Sequence, residues 1–180
     1  MDKLKSFFKS SAQEQPDEVY KLPLKDLVEF VSKKWQLDEL HGLKHWENVH
    51  RNGVLLMQMQ SNVNPFVVIA FAYLHDCCRI NNGNDESHGE RALGVIDEIR
   101  NTILKNFSNE EISLLKAACL LHTSIQKVGN PTIDICFDAD RLDLDRVGIK
   151  PNPLKMATLR GASFADDFSN FIIKRSHVGI

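Results

Sequence analysis

The spacing of hydrophobic residues predicts helices along most of the chain. A first helix is indicated by apolar side chains three and four residues apart, at Leu24, Leu27, Val28, Val31 and Trp35. The same spacing continues over residues 43–60 and predicts a second helix. Asn64 and Pro65 then combine a helix N-cap with a proline in the first turn. The segment that they open, FVVIAFAYLHDCC, is apolar nearly all round, which is typical of a helix at the centre of a core.

The second half of the chain continues the helical pattern with one exception. A turn-rich loop, NNGND at residues 81–85, precedes a helix expected over residues 86–105. Ser108 and Glu111 then form a capping-box sequence for the helix that carries LLKAACLLH. Residues 129–137 contain the one plausible extended stretch, TIDICF, and a further helix is predicted for DADRLDLDRV, ending at GIKPNP. At least six helices without a run of strands predict an all-α, compact helical domain.

The chain length and composition fit one globular domain, and a cytoplasmic location is the default expectation. Hydrophobic residues make up 43% of the 180 residues, charged residues 26%, and the formal net charge is −2. This balance gives no indication of bulk nucleic-acid binding or of an electrostatic membrane anchor, and neither is expected. The longest apolar run, FVVIAFAYL, is about half of the roughly 20 residues that a membrane span needs, and the N-terminus lacks the apolar stretch of a secretory signal.

The domain is expected to occupy residues 21–180, preceded by a loose arm over residues 1–20. A short helix that packs through Phe7 and Phe8 fits the arm equally well. The four cysteines include no CxxC pair, so a thiolate zinc site is not expected and reduced thiols are the simpler interpretation.

The candidate chemistry lies in the histidines and aspartates. His75 and Asp76 stand side by side at the end of the most hydrophobic helix, where burial of an imidazole and a carboxylate is costly unless something compensates. A divalent cation compensates well, because it binds both groups. Asp140, in DADRLD, and His45, before a tryptophan on an earlier helix, are further candidates. Two imidazoles and two carboxylates suit Mn, Fe, Co, Ni or Mg better than thiolate-rich zinc chemistry.

The order of these motifs resembles the HD-domain superfamily. The resemblance rests on HGLKHW, LHDCCR, SHGERA, CLLHT and DADRLDLDRVGI across residues 40–148, and it is greatest to small, uncharacterised bacterial-type HD proteins. It implies an all-helical, metal-dependent phosphohydrolase that cleaves a nucleotide or other small phosphoester through a metal-activated water. It also maps the metal ligands onto His45, His75, Asp76 and Asp140.

The resemblance leaves the number of metal ions at one or two. Some superfamily members bind a second metal through extra histidines between the HD pair and the last aspartate. His88 and His122 lie in that interval, and Asp76 would then bridge the two ions. The alternative is that these two histidines contact the substrate phosphate or pack in the pocket wall. One of them could also serve as the acid for the leaving group.

Cationic residues near the motifs are candidates for substrate binding. Arg79 follows the HD pair by three residues, and Arg91 follows His88 by three on the same helix face. Either guanidinium could hold phosphate oxygens with its planar fork, although a solvated surface charge fits Arg91 equally well. Lys44 is a weaker candidate. The predicted catalytic set is therefore Asp76, Arg79, His88 and His122.

Other polar residues receive smaller roles. The loop at residues 81–85 is expected to border the pocket, and His41 to shape the approach to His45 or to pack nearby. His50 is expected at the surface or as a hydrogen-bonded core residue. Arg141 is expected to form a structural ion pair with Asp138 or Asp143. Two alternatives to hydrolysis stay open: a non-catalytic sensor that binds metal and nucleotide, and a di-iron oxygenase of the HD type.

Overall fold

The computed structural model describes residues 21–58 and 60–180, so the expected N-terminal arm lies outside the described residues. Within those ranges the chain forms eight α-helices and no β-strand, which confirms the predicted all-α class. The helices are α1 Leu24–Lys34, α2 Leu43–Met57, α3 Pro65–Leu74, α4 His88–Glu98, α5 Asn109–Leu121, α6 Pro131–Arg141, α7 Leu159–Asp166 and α8 Phe168–Ser176. Short 3₁₀ helices at Leu144–Val147 and Pro153–Lys155 connect α6 to α7.

Helix α3 is the centre of the bundle. It packs against α1, α2, α5 and α6, and seven of its ten residues are buried. The Asn64 side chain accepts hydrogen bonds from the backbone N–H groups of Phe66 and Val67, and Pro65 occupies the first turn, as predicted. Full burial of one large apolar side chain contributes roughly 1.5–3 kcal/mol, so α3 is held mainly by packing. Its C-terminal end delivers His75 and Asp76 to the middle of the domain.

The prediction of an extended stretch for TIDICF is wrong. These residues form most of α6, and the DADR segment is its last turn. The Asn130 side chain accepts hydrogen bonds from the backbone N–H groups of Thr132 and Ile133, and Pro131 follows in the first turn. This is the same start signal as Asn64 and Pro65, and it overrides the low helix propensity of the β-branched residues. The separate helix predicted over residues 138–147 is accordingly absent, and a 3₁₀ helix follows α6 instead.

The other observed helix boundaries differ from the predicted ones. Helix α4 begins at His88 and ends at Glu98, and turns replace its predicted continuation to residue 105. Helix α5 begins with the predicted capping box, because the Ser108 side chain accepts from the Glu111 N–H and the Glu111 side chain accepts from the Ser108 N–H. No helix within the described ranges has the length and apolar content needed to cross a bilayer.

The two C-terminal helices are joined to the bundle by buried polar contacts. The Asp138 carboxylate accepts hydrogen bonds from the backbone of Ala157 and from the backbone and hydroxyl of Thr158. Thr158 in turn caps α7. Helix α8 packs against α2 and buries Phe171, which places Arg175 against the segment after α6.

Candidate metal centre

Six predicted site residues come together where five helices begin or end. His45 lies in the first turn of α2, His75 and Asp76 follow α3, His88 begins α4, His122 follows α5, and Asp140 lies in the last turn of α6. All are buried except Asp140, whose side chain is 18% exposed. The bundle therefore gathers these groups although they are distant along the chain.

Four of them form what we call the first site: His45, His75, Asp76 and Asp140. The Nε2 atoms of the two histidines lie 3.1 Å apart. Asp140 Oδ1 is 3.4 Å from Nε2 of His45 and 3.7 Å from Nε2 of His75. Asp76 Oδ2 is 3.7 and 3.8 Å from the same two nitrogens. Nitrogen and oxygen donors therefore surround one common point.

The second site consists of His88, His122 and the same Asp76. The Nε2 atoms of the two histidines lie 2.9 Å apart. Asp76 Oδ1 is 3.0 Å from Nε2 of His88 and 3.7 Å from Nε2 of His122. Asp76 thus presents one carboxylate oxygen to each pair of imidazoles. In both sites, groups of histidine and aspartate donors lie close enough together to hold a metal ion.

The hydrogen bonds of the four imidazoles decide which nitrogen carries the proton. Each Nδ1 faces an acceptor that has no proton to give: a carboxylate oxygen of Asp143 for His45, at 2.8 Å, and the backbone carbonyls of Phe71, Asp85 and Cys119 for His75, His88 and His122. In its neutral form an imidazole has one N–H, which these acceptors place on Nδ1, so that Nε2 presents a lone pair.

This arrangement fits a cation between the imidazoles. Two lone pairs about 3 Å apart cannot hydrogen-bond to each other, and ionised carboxylates are acceptors only. With neutral imidazoles the donor set has no hydrogen to share, whereas a divalent metal would satisfy the nitrogen and oxygen atoms together.

The electrostatics of the cluster favour positive charge within it. Burial lowers the pKa of His45. Burial also opposes the charged form of His75, but the carboxylates of Asp76 and Asp140 outweigh it and raise the His75 pKa. Despite their own burial, Asp76 and Asp140 have pKa values held well below the usual range, chiefly by the charge of His75 and, for Asp140, also by its hydrogen bond. Both carboxylates therefore stay ionised and attract a cation.

His41 lies closer to the candidate ligands than the sequence indicated. Its Nδ1 lies 3.0 Å from Asp76 Oδ2 and 3.2 Å from Nη2 of Arg146, so it belongs to the surroundings of the shared carboxylate. His41 and the candidate ligand His45 lie in one motif, HGLKHW, and this proximity was the available signal. His50, by contrast, is a buried core residue whose Nδ1 is 3.0 Å from the Tyr73 hydroxyl.

Arg79 lies beside the second site. Its Nη1 is 3.6 Å from Asp76 Oδ1 and its Nη2 donates to the Gly83 carbonyl at 2.7 Å, whereas Nε is buried with no hydrogen-bond partner in the structure. A neighbouring cavity of about 500 Å³ is lined by Arg79, Gly83, Asn84, Asp85, Glu86, His88, Thr123 and Ser124. The loop at residues 81–85 thus borders a cavity next to a candidate metal ligand.

The other cationic candidates lie elsewhere. The Arg91 guanidinium binds the Asp85 carboxylate and the Cys78 carbonyl, so it anchors the loop, and the geometry gives no support to its predicted role in holding phosphate. Lys44 is exposed and lines a second cavity of about 560 Å³ on the other side of His45. Arg141 lies 3.7 Å from Asp138, the first of its two predicted partners. Asp143, the second, binds His45 instead.

A close helix crossing brings the second pair of histidines together. A Cβ atom at Gly89 would overlap the backbone carbonyl oxygen of Cys119. Helices α4 and α5 can therefore approach closely at this point. The same carbonyl accepts the Nδ1 hydrogen of His122, so one contact sets both the helix separation and the orientation of the imidazole.

Comparisons with known proteins support the fold. No family model matches the sequence, and no curated protein matches it. A crystal structure of a predicted HD superfamily hydrolase from an uncultured Thermotogales bacterium superimposes with a TM-score of 0.65 at 22% sequence identity. The match covers 85% of this chain and 88% of that one. The chain therefore has the HD-domain fold, with histidine and aspartate clusters that could hold metal ions.

Proposed function

We propose that this protein is a metal-dependent phosphohydrolase that cleaves a nucleotide or another small phosphoester. The proposal rests on one observation: the Nε2 atoms of four buried imidazoles converge on the two oxygens of Asp76, two on each oxygen. A divalent cation bound in such a site supplies Lewis acidity and activates a water molecule for attack on phosphorus. The nitrogen and oxygen donors suit Mn, Fe, Co, Ni or Mg.

The residues divide into two ligand groups with a shared carboxylate. His45, His75 and Asp140 would hold one ion, His88 and His122 a second, and Asp76 would contribute to both. Because Nδ1 of His88 and of His122 faces a carbonyl and Nε2 faces Asp76, we assign these two histidines as ligands instead of proton donors to the leaving group.

Arg79 is the proposed phosphate-binding residue. Its guanidinium lies at a cavity whose volume, about 500 Å³, is within the range of roughly 300–1,000 Å³ typical of small-ligand sites. Thr123 and Ser124 add hydroxyl groups to the cavity wall. A planar guanidinium with neighbouring hydroxyls is suited to the oxygens of a phosphoryl group.

The test combines metal analysis with a substrate panel. Purified protein is analysed for bound metal, and phosphate release is measured from nucleotides and simple phosphoesters with Mn, Fe, Co, Ni or Mg. We expect about two ions per chain and metal-dependent release from at least one substrate class. Bound metal with no release from any substrate would overturn the hydrolase proposal. Saturable nucleotide binding without product would then identify a sensor.

A di-iron oxygenase is the second candidate, because a carboxylate with an imidazole pair on each side also suits two iron ions. Iron content together with substrate-dependent oxygen consumption would identify this activity. Phosphate release by iron-free protein loaded with Mn would exclude it as the main function.

A further inference from the structure

A buried carboxylate behind the first site has three hydrogen-bond partners, and Nη1 of Arg146 lies 4.0 Å from its Oδ2. Asp143 has no exposed surface, and its Oδ2 lies 2.8 Å from Nδ1 of His45. Its Oδ1 accepts hydrogen bonds from Nδ2 of Asn48 at 2.9 Å and from Nη1 of Arg175 at 2.7 Å. Asn48 lies on α2 with His45, whereas Arg175 comes from α8 at the end of the chain.

We propose that Asp143 is a positioning residue that fixes the tautomer of His45, and that Arg175 of α8 orients it for this task. The consequence for ion binding rests on the metal centre proposed above, whereas the tautomer itself belongs to the metal-free protein. Helix α8 thereby helps to orient a candidate ligand of the first site.

The carboxylate can act in this way because its two oxygens have different hydrogen-bond partners. Two donors occupy Oδ1 and fix the plane of the carboxylate, which leaves Oδ2 to accept from His45. Because His45 is buried, no bulk water competes for its Nδ1 hydrogen. The proton stays on Nδ1, and Nε2 presents its lone pair to His75 and Asp140.

His45 differs in this respect from the other three imidazoles. His75, His88 and His122 direct Nδ1 to backbone carbonyls, which side-chain substitution does not remove. Among the four, only His45 has a side-chain acceptor at Nδ1, because the side chain near Nδ1 of His88, Arg79 Nη1 at 3.4 Å, is a donor. A substitution at residue 143 can therefore change one imidazole and leave the other three as they are.

Asp143→Asn is the decisive variant because it changes the hydrogen-bond pattern with little change of shape. Asn48 and Arg175 both donate, so the amide oxygen should remain at the Oδ1 position and the amide NH₂ should face His45. Nδ1 of His45 must then accept, and its single proton must move to Nε2. That proton would occupy the position from which His45 would bind a metal.

The experiment reads the tautomer directly. Nitrogen-15 NMR of the histidine side chains in metal-free protein should show His45 protonated at Nδ1 in the wild type and at Nε2 in Asp143→Asn. Calorimetric titration with Mn should show weaker binding at the first site by about 10- to 100-fold, the usual cost of losing an outer hydrogen-bond partner of a metal ligand. Binding at the second site should be unchanged.

Asp145→Asn is the matched control. It makes the same chemical change two residues along, at a partly exposed carboxylate 3.9 Å from Nη2 of Arg175. Neither the His45 tautomer nor Mn binding should change in this variant. Arg175→Met removes one of the two donors to Asp143 Oδ1, so we expect Mn binding at the first site to weaken by a smaller factor, about threefold.

Several results would overturn the proposal. Protonation of wild-type His45 at Nε2 would overturn it. This result needs no variant, so the test remains possible even if Asp143→Asn fails to fold. A folded Asp143→Asn protein with His45 still protonated at Nδ1 would do so as well. Unchanged Mn affinity in Arg175→Met would show that α8 does not orient Asp143. If the protein binds no metal, the proposed function fails, whereas the tautomer change still tests the role of Asp143.

Discussion

The two sides of Asp76 are built from the same residue types but differ in charge and in support. On the first side, Asp140 adds a second carboxylate and Asp143 stands behind His45. On the second side, the histidines rest on backbone carbonyls, and the nearest additional charge is the Arg79 guanidinium, 3.6 Å from Asp76 Oδ1. Under the proposed function, the first site would hold its cation more firmly, and the second would hold a cation beside an anionic substrate.

The largest effect should come from Asp76, the one residue that the two sides share. Asp76→Asn removes the negative charge next to all four imidazoles, so we expect both ions to be lost and phosphate release to fall by more than about 100-fold. Metal analysis and steady-state kinetics measure this. Glu86→Gln, an exposed carboxylate of the cavity wall, is the control and should retain both ions. Retention of one full ion by Asp76→Asn would show that the carboxylate is not shared.

A pair of matched variants separates the two sides. His45→Gln and His88→Gln each remove one imidazole, and each should lower the metal content by about one ion per chain. We expect the remaining ion to bind more tightly in His88→Gln, because the first site keeps two carboxylates. Calorimetry with Mn measures both affinities. Equal residual affinities would contradict the difference in charge between the sides.

Arg79 tests the role of the second side in substrate binding. Arg79→Met removes a charged hydrogen-bond donor, whose loss costs about 1.5–3 kcal/mol, so KM should rise by about tenfold or more. Removal of the cation should at the same time tighten metal binding at the second site. Lys44→Met, on the other side of His45, is the control and should leave KM within about twofold. A tenfold rise in KM for Lys44→Met alone would place the substrate in that other cavity.

The smallest effect concerns His50, a buried histidine outside both sites. Burial lowers its pKa from 6.5 to about 4, so the unfolded chain binds more protons between these values and folding stability falls as the pH drops below 6.5. Between pH 6.5 and about 5.5 the wild type should lose about 1 kcal/mol more than His50→Gln. Urea unfolding at both pH values measures this. Identical losses would show that His50 titrates as it does in the unfolded chain.

The sequence was sufficient to name the candidate ligands but not the residues that orient them. His45, His75, Asp76, His88, His122 and Asp140 could be identified as candidates because the ordered motifs resemble those of HD proteins. The role of Asp143 depends on where α6 ends. Since the helix stops at Arg141, the chain turns and directs Asp143 to His45 instead of to Arg141. Residue spacing alone does not locate that turn.

The fold, too, was predictable only in part from the sequence. The start of α3 and the capping box of α5 follow from local signals that act within one helical turn. The start of α6 carried the same signal at Asn130 and Pro131, but the alternating apolar residues after it also fit a strand. Burial on several sides by α2, α3 and α5 decides for the helix, and that packing involves residues far away in the sequence.

The close crossing at Gly89 has a consequence for recognising related chains. A search pattern made only of histidines and aspartates would accept a protein with alanine after the histidine that begins α4. The added methyl group would meet the Cys119 carbonyl and push α4 away from α5, so that protein would possess every donor and still be unable to close its second site. The glycine therefore belongs in the pattern on equal terms with the residues that would touch the ion.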